Sequence, residues 1–162
     1  SIAQRVNDIK KANGINFTAT EKMLTVEDAD GIKLKSALDA IGDDGYIYDL
    51  KSCDDASAAG FLSSVRKYKY NLQAVFYKFV LEQYSNEKVR GVRFIAVEKT
   101  KPGIAIYELG FEALHYGLQD MKRAVELYKK CLVSGTYDNF PTAPQTIDFT
   151  TKSDASNAIK FA

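Results

Sequence analysis

The stretch from Ile32 to Lys51 constrains the fold more than any other part of the chain. Residues 32–41 alternate apolar and polar side chains, which is the period of a half-buried β-strand. The run Gly-Asp-Asp-Gly at residues 42–45 supplies the glycines that a tight hairpin turn uses, and a strand pattern resumes at Tyr46. The sequence therefore predicts two antiparallel strands joined by a hairpin.

Charged side chains stand where this hairpin would bring them together. Asp39 lies near the end of the first predicted strand, and Asp49 and Lys51 lie at the end of the second. Side chains two residues apart leave the same face of a strand. Two carboxylates suit Mg²⁺, which prefers hard oxygen ligands, and an adjacent ammonium can orient a water or stabilise developing charge. The alternative is an acid and a lysine on a solvated strand surface.

A predicted helix that follows the hairpin carries a mixed face. Tyr70, Gln73 and Tyr77 stand at positions i, i+3 and i+7, which lie on one side of an α-helix. The same spacing is typical of an aromatic stripe packed into a core. Taken alone, these residues leave two interpretations open: a core stripe with one glutamine in it, or a helix face that belongs to a site.

The other elements are predicted from periodicity and from the glycines and prolines between them. Asp54 or Asp55 is placed to cap the first helix after the hairpin. The whole pattern predicts a single domain over residues 1–162, with its core at about residues 15–149. In chain order the predicted elements are a helix at 2–12, strands at 15–26, 32–41 and 46–51, helices reaching Lys67 and at 69–84, strands at 92–97 and 104–109, a helix at 111–134 and a short strand at 146–149.

Composition narrows the classes of function. A net charge of +1 excludes a broadly cationic surface, so nucleic-acid binding would require a local basic patch. The run Arg66–Tyr70 interleaves basic and aromatic residues, which suits phosphates and unpaired bases or a solvated junction between helices. Cys53 and Cys131 have no CxxC partners, so they cannot supply a zinc or iron–sulfur site, and they indicate a reducing compartment. No apolar run approaches the roughly 18 residues of a membrane span, and no membrane partner is expected.

The order of these motifs resembles a known enzyme superfamily. An aspartate, an Asp-x-Lys ten residues later and a Tyr-x-x-Gln-x-x-x-Tyr helix are similar to the PD-(D/E)XK nucleases of the RecB-like group. The runs IYDLKSCDDASAAGF, YKYNLQAVFY and VRFIAVEKTKPGIAIYEL resemble the exodeoxyribonuclease VIII (RecE-like) family more closely, over roughly residues 32–149. The resemblance implies an α/β (α+β) fold with a restriction-endonuclease-like core, in which a mixed central sheet is flanked by helices.

The resemblance also implies roles for individual residues and a Mg²⁺ or Mn²⁺ cofactor. One position departs from the family pattern, because Leu38 stands where a proline usually precedes the first acid. The metal ligands would be two carboxylates and one backbone carbonyl, a lysine would be catalytic, and a glutamine and a tyrosine would help to hold DNA or the scissile phosphate. These are, in that order, Asp39 and Asp49, the carbonyl of Leu50, Lys51, Gln73 and Tyr77.

A second departure concerns the upstream part of the site. Relatives carry a histidine or glutamate on a helix before the hairpin, but the single histidine of this chain is His115. We interpret His115 as a structural or surface residue, with a metal ligand or general base as the alternative. Glu21 either substitutes as an additional metal ligand or is an exposed strand glutamate. The alternative to substitution by Glu21 is that the missing group precedes Ser1.

The family analogy implies an enzyme of phage or prophage recombination in the bacterial cytoplasm. It would be a Mg²⁺-dependent exonuclease that degrades linear double-stranded DNA in the 5′→3′ direction, with a single-strand annealing protein as partner and a homo-oligomeric state. The alternative is a catalytically inactive DNA-binding or assembly module that keeps the nuclease fold. A third hypothesis, an endonuclease of a restriction or repair system, is disfavoured by the glutamine–tyrosine helix.

Overall fold

The element order of the protein matches the prediction. The computed structural model describes residues 1–137 and residue 144, so the predicted strand at 146–149 lies outside the described residues. The chain divides into two compact units, residues 1–121 and residues 122–162. The elements are α1 (Ile2–Ala12), β1 (Phe17–Glu27), β2 (Lys33–Gly42), β3 (Tyr46–Cys53), α2 (Ala58–Tyr68), α3 (Tyr70–Ser85), β4 (Gly91–Glu98), β5 (Ile104–Glu108) and α4 (Phe111–Ser134).

The five strands form one mixed sheet in the order β1-β2-β3-β4-β5. Strands β3 and β4 pair in parallel, and the other neighbours pair antiparallel. The parallel pair requires a long crossover between its strands, which α2 and α3 provide. Strand β3 is consequently the central strand, and the charged residues that follow the hairpin lie in the middle of the sheet. The predicted mixed sheet flanked by helices is confirmed.

The two faces of the sheet are covered by different helices. Side chains alternate along a strand, so Phe94 and Ile95 of β4 enter different core clusters. Phe94 packs with residues of α2 and α3, whereas Ile95 packs in a cluster that Val6 and Ile9 of α1 also join. Four consecutive buried residues at 94–97 confirm that β4 is a strand buried on both sides, as its apolar run predicts. No helix in the described part of the chain is long and apolar enough to cross a membrane.

The start of α2 corrects one prediction. Neither Asp54 nor Asp55 is its N-cap; Ser57 is, and its hydroxyl accepts a hydrogen bond from the backbone N–H of Gly60. The backbone of Ala56 is held by side chains from other strands, since its N–H donates to Glu98 and its carbonyl accepts from the hydroxyl of Tyr107. The helix can begin only after this tethered residue.

Candidate active site

Strand β3 carries a buried ion pair. Lys51 Nζ lies 2.6 Å from Oδ2 of Asp49, and the two side chains are 16% and 3% exposed. They meet because residues two apart in a strand share a face. Apart from this ion pair, Oδ2 of Asp49 is buried without a hydrogen-bond partner among the described residues.

The environment of Asp49 disfavours its charge. Burial raises the pKa of the Asp49 carboxyl above its ordinary value; the ammonium of Lys51 opposes this, and the charge of Asp39 adds to it. A buried carboxylate that is incompletely partnered costs folding free energy. Groups whose pKa values are perturbed by burial and a charged partner concentrate at functional sites, so Asp49 is the strongest candidate in the cluster.

Asp39 reaches the same place from β2 because the hairpin strands separate. The β2–β3 pairing contains only Ala40 with Tyr48 and Ile41 with Ile47, while β3 continues along β4 to Cys53. Past the point where β2 and β3 separate, the N–H of Leu50 donates a 2.8 Å hydrogen bond to Oδ2 of Asp39. The carboxylate takes the place that a β2 carbonyl would occupy in a continued ladder.

Glu21 lies next to Asp39 on the neighbouring strand. Between the paired residues Thr20–Ala40 and Lys22–Leu38, one residue of each strand remains, and these two are Glu21 and Asp39. Both line a cavity of about 380 Å³. Glu21 has a φ of 50°, an uncommon conformation for a residue other than glycine and one that recurs at functional sites. Its role as an additional metal ligand stays a prediction.

Helix α3 presents an amide and a phenol to this cluster. Nε2 of Gln73 donates to the hydroxyl of Tyr77 at 2.8 Å, and Oε1 of Gln73 is buried without a partner among the described residues. Burial raises the pKa of Tyr77, and the charges of Asp49 and Asp39 raise it further, so its hydroxyl lies within electrostatic reach of both acids. Tyr77 also packs against the core, as the core-stripe interpretation expects, and the role of this helix face in a site stays a prediction.

Tyr70 lies in the same cluster; the sequence placed it on the helix face of Gln73 and Tyr77 but gave it no role of its own. Its ring centroid lies 4.6 Å from Nζ of Lys51. Burial raises the pKa of Tyr70, with further contributions from Tyr68 and Asp49. The helical spacing of Tyr70 and Gln73 was the available signal, but it did not specify which strand residue the ring would meet.

Other predicted residues lie outside this cluster. Arg66 and Lys67 are exposed at the end of α2, whereas Lys69 forms a 3.2 Å ion pair with Asp120. His115 is exposed on α4 and stacks on Phe111, as expected for a surface residue.

The donor set fits a divalent cation that keeps part of its water shell. No group of three or more histidine, cysteine, aspartate or glutamate side chains within the described ranges is arranged to hold a metal ion. Mg²⁺ needs only one or two carboxylates besides waters and substrate phosphates, and Asp39, Asp49 and the carbonyl of Leu50 supply such a set. The buried oxygen of Asp49 that lacks a hydrogen bond is an acceptor that a cation would satisfy.

Comparisons with known proteins point to one superfamily. A family model described as a PDDEXK-like domain of unknown function (DUF3799) matches residues 1–143. The crystal structure of a candidate exonuclease from Eubacterium rectale superimposes with a TM-score of 0.65 at 17% sequence identity. The alignment covers 90% of this chain and 61% of that one, so the chain spans less than two thirds of its structural neighbour.

A more distant solved structure, that of SSO0001, has a TM-score of 0.45 at 14% identity, and the match covers 83% of this chain and 58% of that one. At this level of similarity no argument rests on it. No curated protein matches the sequence.

Proposed function

Because the chain belongs to the PDDEXK-like family DUF3799, we propose that it is a metal-dependent nuclease that hydrolyses phosphodiester bonds in linear double-stranded DNA. The observation that carries this proposal is the buried Asp49, which is ion-paired to Lys51 and otherwise lacks a partner for Oδ2. A buried carboxylate that lowers the stability of the fold is expected at a site where a bound ligand satisfies it.

The residues of the site divide the work of phosphodiester hydrolysis. Asp39, Asp49 and the carbonyl of Leu50 would hold Mg²⁺ or Mn²⁺, which supplies charge neutralisation and a more acidic bound water. Lys51, an ammonium with three donors, would orient the attacking water or stabilise charge on the phosphate. The Tyr77 hydroxyl, whose pKa is raised, and the second N–H of the Gln73 amide, beside the one that bonds Tyr77, would donate to a phosphate oxygen.

The finer features rest on resemblance. Exonuclease action in the 5′→3′ direction, a role in phage or prophage recombination, a single-strand annealing partner and a homo-oligomeric state follow from the similarity to the exodeoxyribonuclease VIII family. The name of the Eubacterium rectale neighbour supports exonuclease action. Exposed Arg66 and Lys67 are available for phosphate contacts, which would make binding fall steeply with salt.

One observation favours a second candidate function, a DNA-binding or assembly module without catalysis. Within the described part of the chain, no third acidic or histidine side chain joins the two carboxylates in an arrangement that could hold a metal. A chain that had lost metal binding would keep the fold and the basic residues of α2 and bind DNA without cutting it.

Digestion of end-labelled DNA distinguishes the two. Linear duplex labelled at the 5′ or the 3′ end, and a closed circular duplex, are incubated with the protein in Mg²⁺ or in EDTA. We expect Mg²⁺-dependent loss of the linear substrates, with the 5′ label released first, and no loss of the circle. Lys51→Ala should reduce the rate by about 10²- to 10³-fold, which shows that the activity belongs to this chain.

The alternatives give different results. Cleavage of the closed circle would indicate an endonuclease, and early release of the 3′ label would reverse the polarity. Binding of duplex DNA without cleavage in Mg²⁺ or Mn²⁺ would overturn the proposed activity in favour of the DNA-binding module.

A further inference from the structure

The ammonium of Lys51 has two attractive neighbours of different kinds. One is the Asp49 carboxylate, 2.6 Å away, and the other is the ring of Tyr70, whose centroid lies 4.6 Å away. A cation within about 6 Å of an aromatic centroid is attracted by the ring quadrupole, and the attraction is larger where the pair is shielded from water. Lys51 is shielded in this way, because its side chain is only 16% exposed.

The ring of Tyr70 is fixed by other rings. It stacks on Phe94 of β4 at 5.8 Å, lies 6.0 Å from Phe61 of α2, and stacks on Tyr68 at 5.6 Å. Aromatic pairs at such separations are stabilising. The left-handed backbone of Lys69, with a φ of 56°, ends α2 and makes Tyr70 the first residue of α3. The position of the ring is thus set by packing before any substrate binds.

The two neighbours of Lys51 respond differently to a metal ion. A divalent cation on Asp49 would compete with the ammonium for the same carboxylate and repel it. The ring of Tyr70 is neutral and is not a ligand for the metal ion, so the attraction between the ring and the ammonium remains after the metal ion binds. Without the ring, a flexible lysine side chain would leave the site as the cation enters.

We propose that Tyr70 is a positioning residue that keeps the ammonium of Lys51 beside Asp49 when the site binds a metal ion. The inference rests on the proposed function for its catalytic consequence. The contact itself requires the ring and not the hydroxyl, so phenylalanine should replace tyrosine and an aliphatic residue should not.

A double-mutant cycle tests the contact without any assay of cleavage. Wild type, Tyr70→Leu, Lys51→Met and the double variant are unfolded with urea in EDTA and again in saturating Mg²⁺. We expect the two substitutions to be coupled by about 2- to 30-fold in the unfolding equilibrium constant, and we expect Mg²⁺ to leave this coupling undiminished. Independent effects in EDTA, or coupling that Mg²⁺ abolishes, would overturn the proposal.

Cleavage kinetics test the consequence. Tyr70→Phe should retain the wild-type rate, while Tyr70→Leu should lower kcat by about 10-fold or more with KM for duplex DNA unchanged. Tyr84→Leu is the matched control, since Tyr84 is on the same helix and faces a different lysine, Lys22, at 5.2 Å. Equal losses in Tyr70→Phe and Tyr70→Leu, or a loss confined to KM, would contradict a positioning role.

Different results would contradict the proposed nuclease activity and the proposed role of Tyr70. A wild-type protein that gains no stability from Mg²⁺ or Mn²⁺ and cuts no DNA contradicts the proposed function. Absence of coupling between residues 70 and 51 in EDTA contradicts the role of Tyr70 whether or not the protein cuts DNA.

Discussion

Two charged clusters that share strand β3 use similar side chains and differ in how completely these side chains are hydrogen-bonded. In the first, the Arg93 cluster, the guanidinium lies 3.1 Å from both Asp44 and the Tyr48 hydroxyl, 3.4 Å from Glu108, and 3.6 Å from the ring centroid of Tyr46. The second is the Asp49 cluster, which consists of Asp39, Asp49, Lys51, Tyr70, Gln73 and Tyr77.

The Arg93 cluster follows from sheet register. Arg93 stands beside Tyr48 on one side and Glu108 on the other, and the Tyr48 hydroxyl donates to Asp44 in the hairpin turn. Among the described residues, the Arg93 cluster has no buried side-chain atom that lacks a hydrogen-bond partner. The Asp49 cluster has two such atoms, Oδ2 of Asp49, which is ion-paired to Lys51, and Oε1 of Gln73. The fully bonded network of Arg93 links the hairpin to the neighbouring strands, whereas the unsatisfied buried atoms of the Asp49 cluster call for an explanation, of which a bound ligand is one.

The sharpest test of this difference removes one acid from each cluster. Asp49→Ala should lower Mg²⁺-dependent DNA cleavage by about 10³-fold or more, because a bound metal contributes several kcal/mol to charge stabilisation in the transition state. Mn²⁺ binding, measured by calorimetry, should be lost, and duplex DNA binding should be kept. Asp44→Ala should leave Mn²⁺ binding and cleavage by the folded protein unchanged.

The comparison fails if the two variants behave alike. Normal digestion by Asp49→Ala would show that the site is elsewhere, and loss of metal binding in Asp44→Ala would show that the Arg93 cluster is part of it.

The next effect separates activity from stability. Gln73→Ala should reduce cleavage by about 10- to 100-fold, as is typical for groups that support a metal site. The free energy of unfolding should fall by no more than about 1 kcal/mol, since the variant loses one hydrogen bond, from Nε2 to the Tyr77 hydroxyl, while Oε1 has no hydrogen-bond partner to lose. Arg93→Ala should do the reverse and destabilise by roughly 1–3 kcal/mol with cleavage preserved. Urea unfolding measures the stability of both variants, and digestion rates measure their activity. A large loss of stability with normal cleavage in Gln73→Ala would identify Gln73 as a core residue.

The smallest effect is a pH dependence of stability. Because the pKa of Asp49 is raised above 3.8 in the folded protein, the folded chain binds this proton more tightly than the unfolded chain does. Its contribution to the free energy of unfolding is therefore present below about pH 3.8 and is lost as the pH rises through the raised pKa. The free energy of unfolding of the wild type minus that of Asp49→Asn, measured by urea unfolding in EDTA, should decrease between pH 4 and pH 7.

The opposite slope would show that the Lys51 ion pair outweighs the cost of burial. At pH 7, addition of Mg²⁺ should restore stability to the wild type and leave Asp49→Asn unaffected, because only the carboxylate gains a ligand.

Local patterns were sufficient for most of the fold. Alternation in residues 32–41 and the glycines of the turn predicted the hairpin, and the apolar strand pattern at 92–97 predicted a strand buried on both faces. Both predictions are confirmed. The predicted N-cap of α2 was wrong because Asp54, Asp55 and Ser57 are all residue types that cap helices well. The choice among them depended on contacts that Ala56 makes with distant strands.

For the site, the sequence by itself determined which strand residues share a face. Asp49 and Lys51 had to meet because strand side chains alternate with a period of two, and Gln73 and Tyr77 had to meet because an α-helix repeats every 3.6 residues. Such periodicities are properties of the backbone, so they can be read without knowing what packs against it.

Only the tertiary structure decided which of these groups are left without partners. The separation of β2 from β3 left the Leu50 N–H to Asp39, the packing of α3 set the Tyr70 ring over Lys51, and the register of β1 against β2 put Glu21 opposite Asp39. These outcomes depend on desolvation and on contacts between residues far apart in the chain, and no local pattern encodes either.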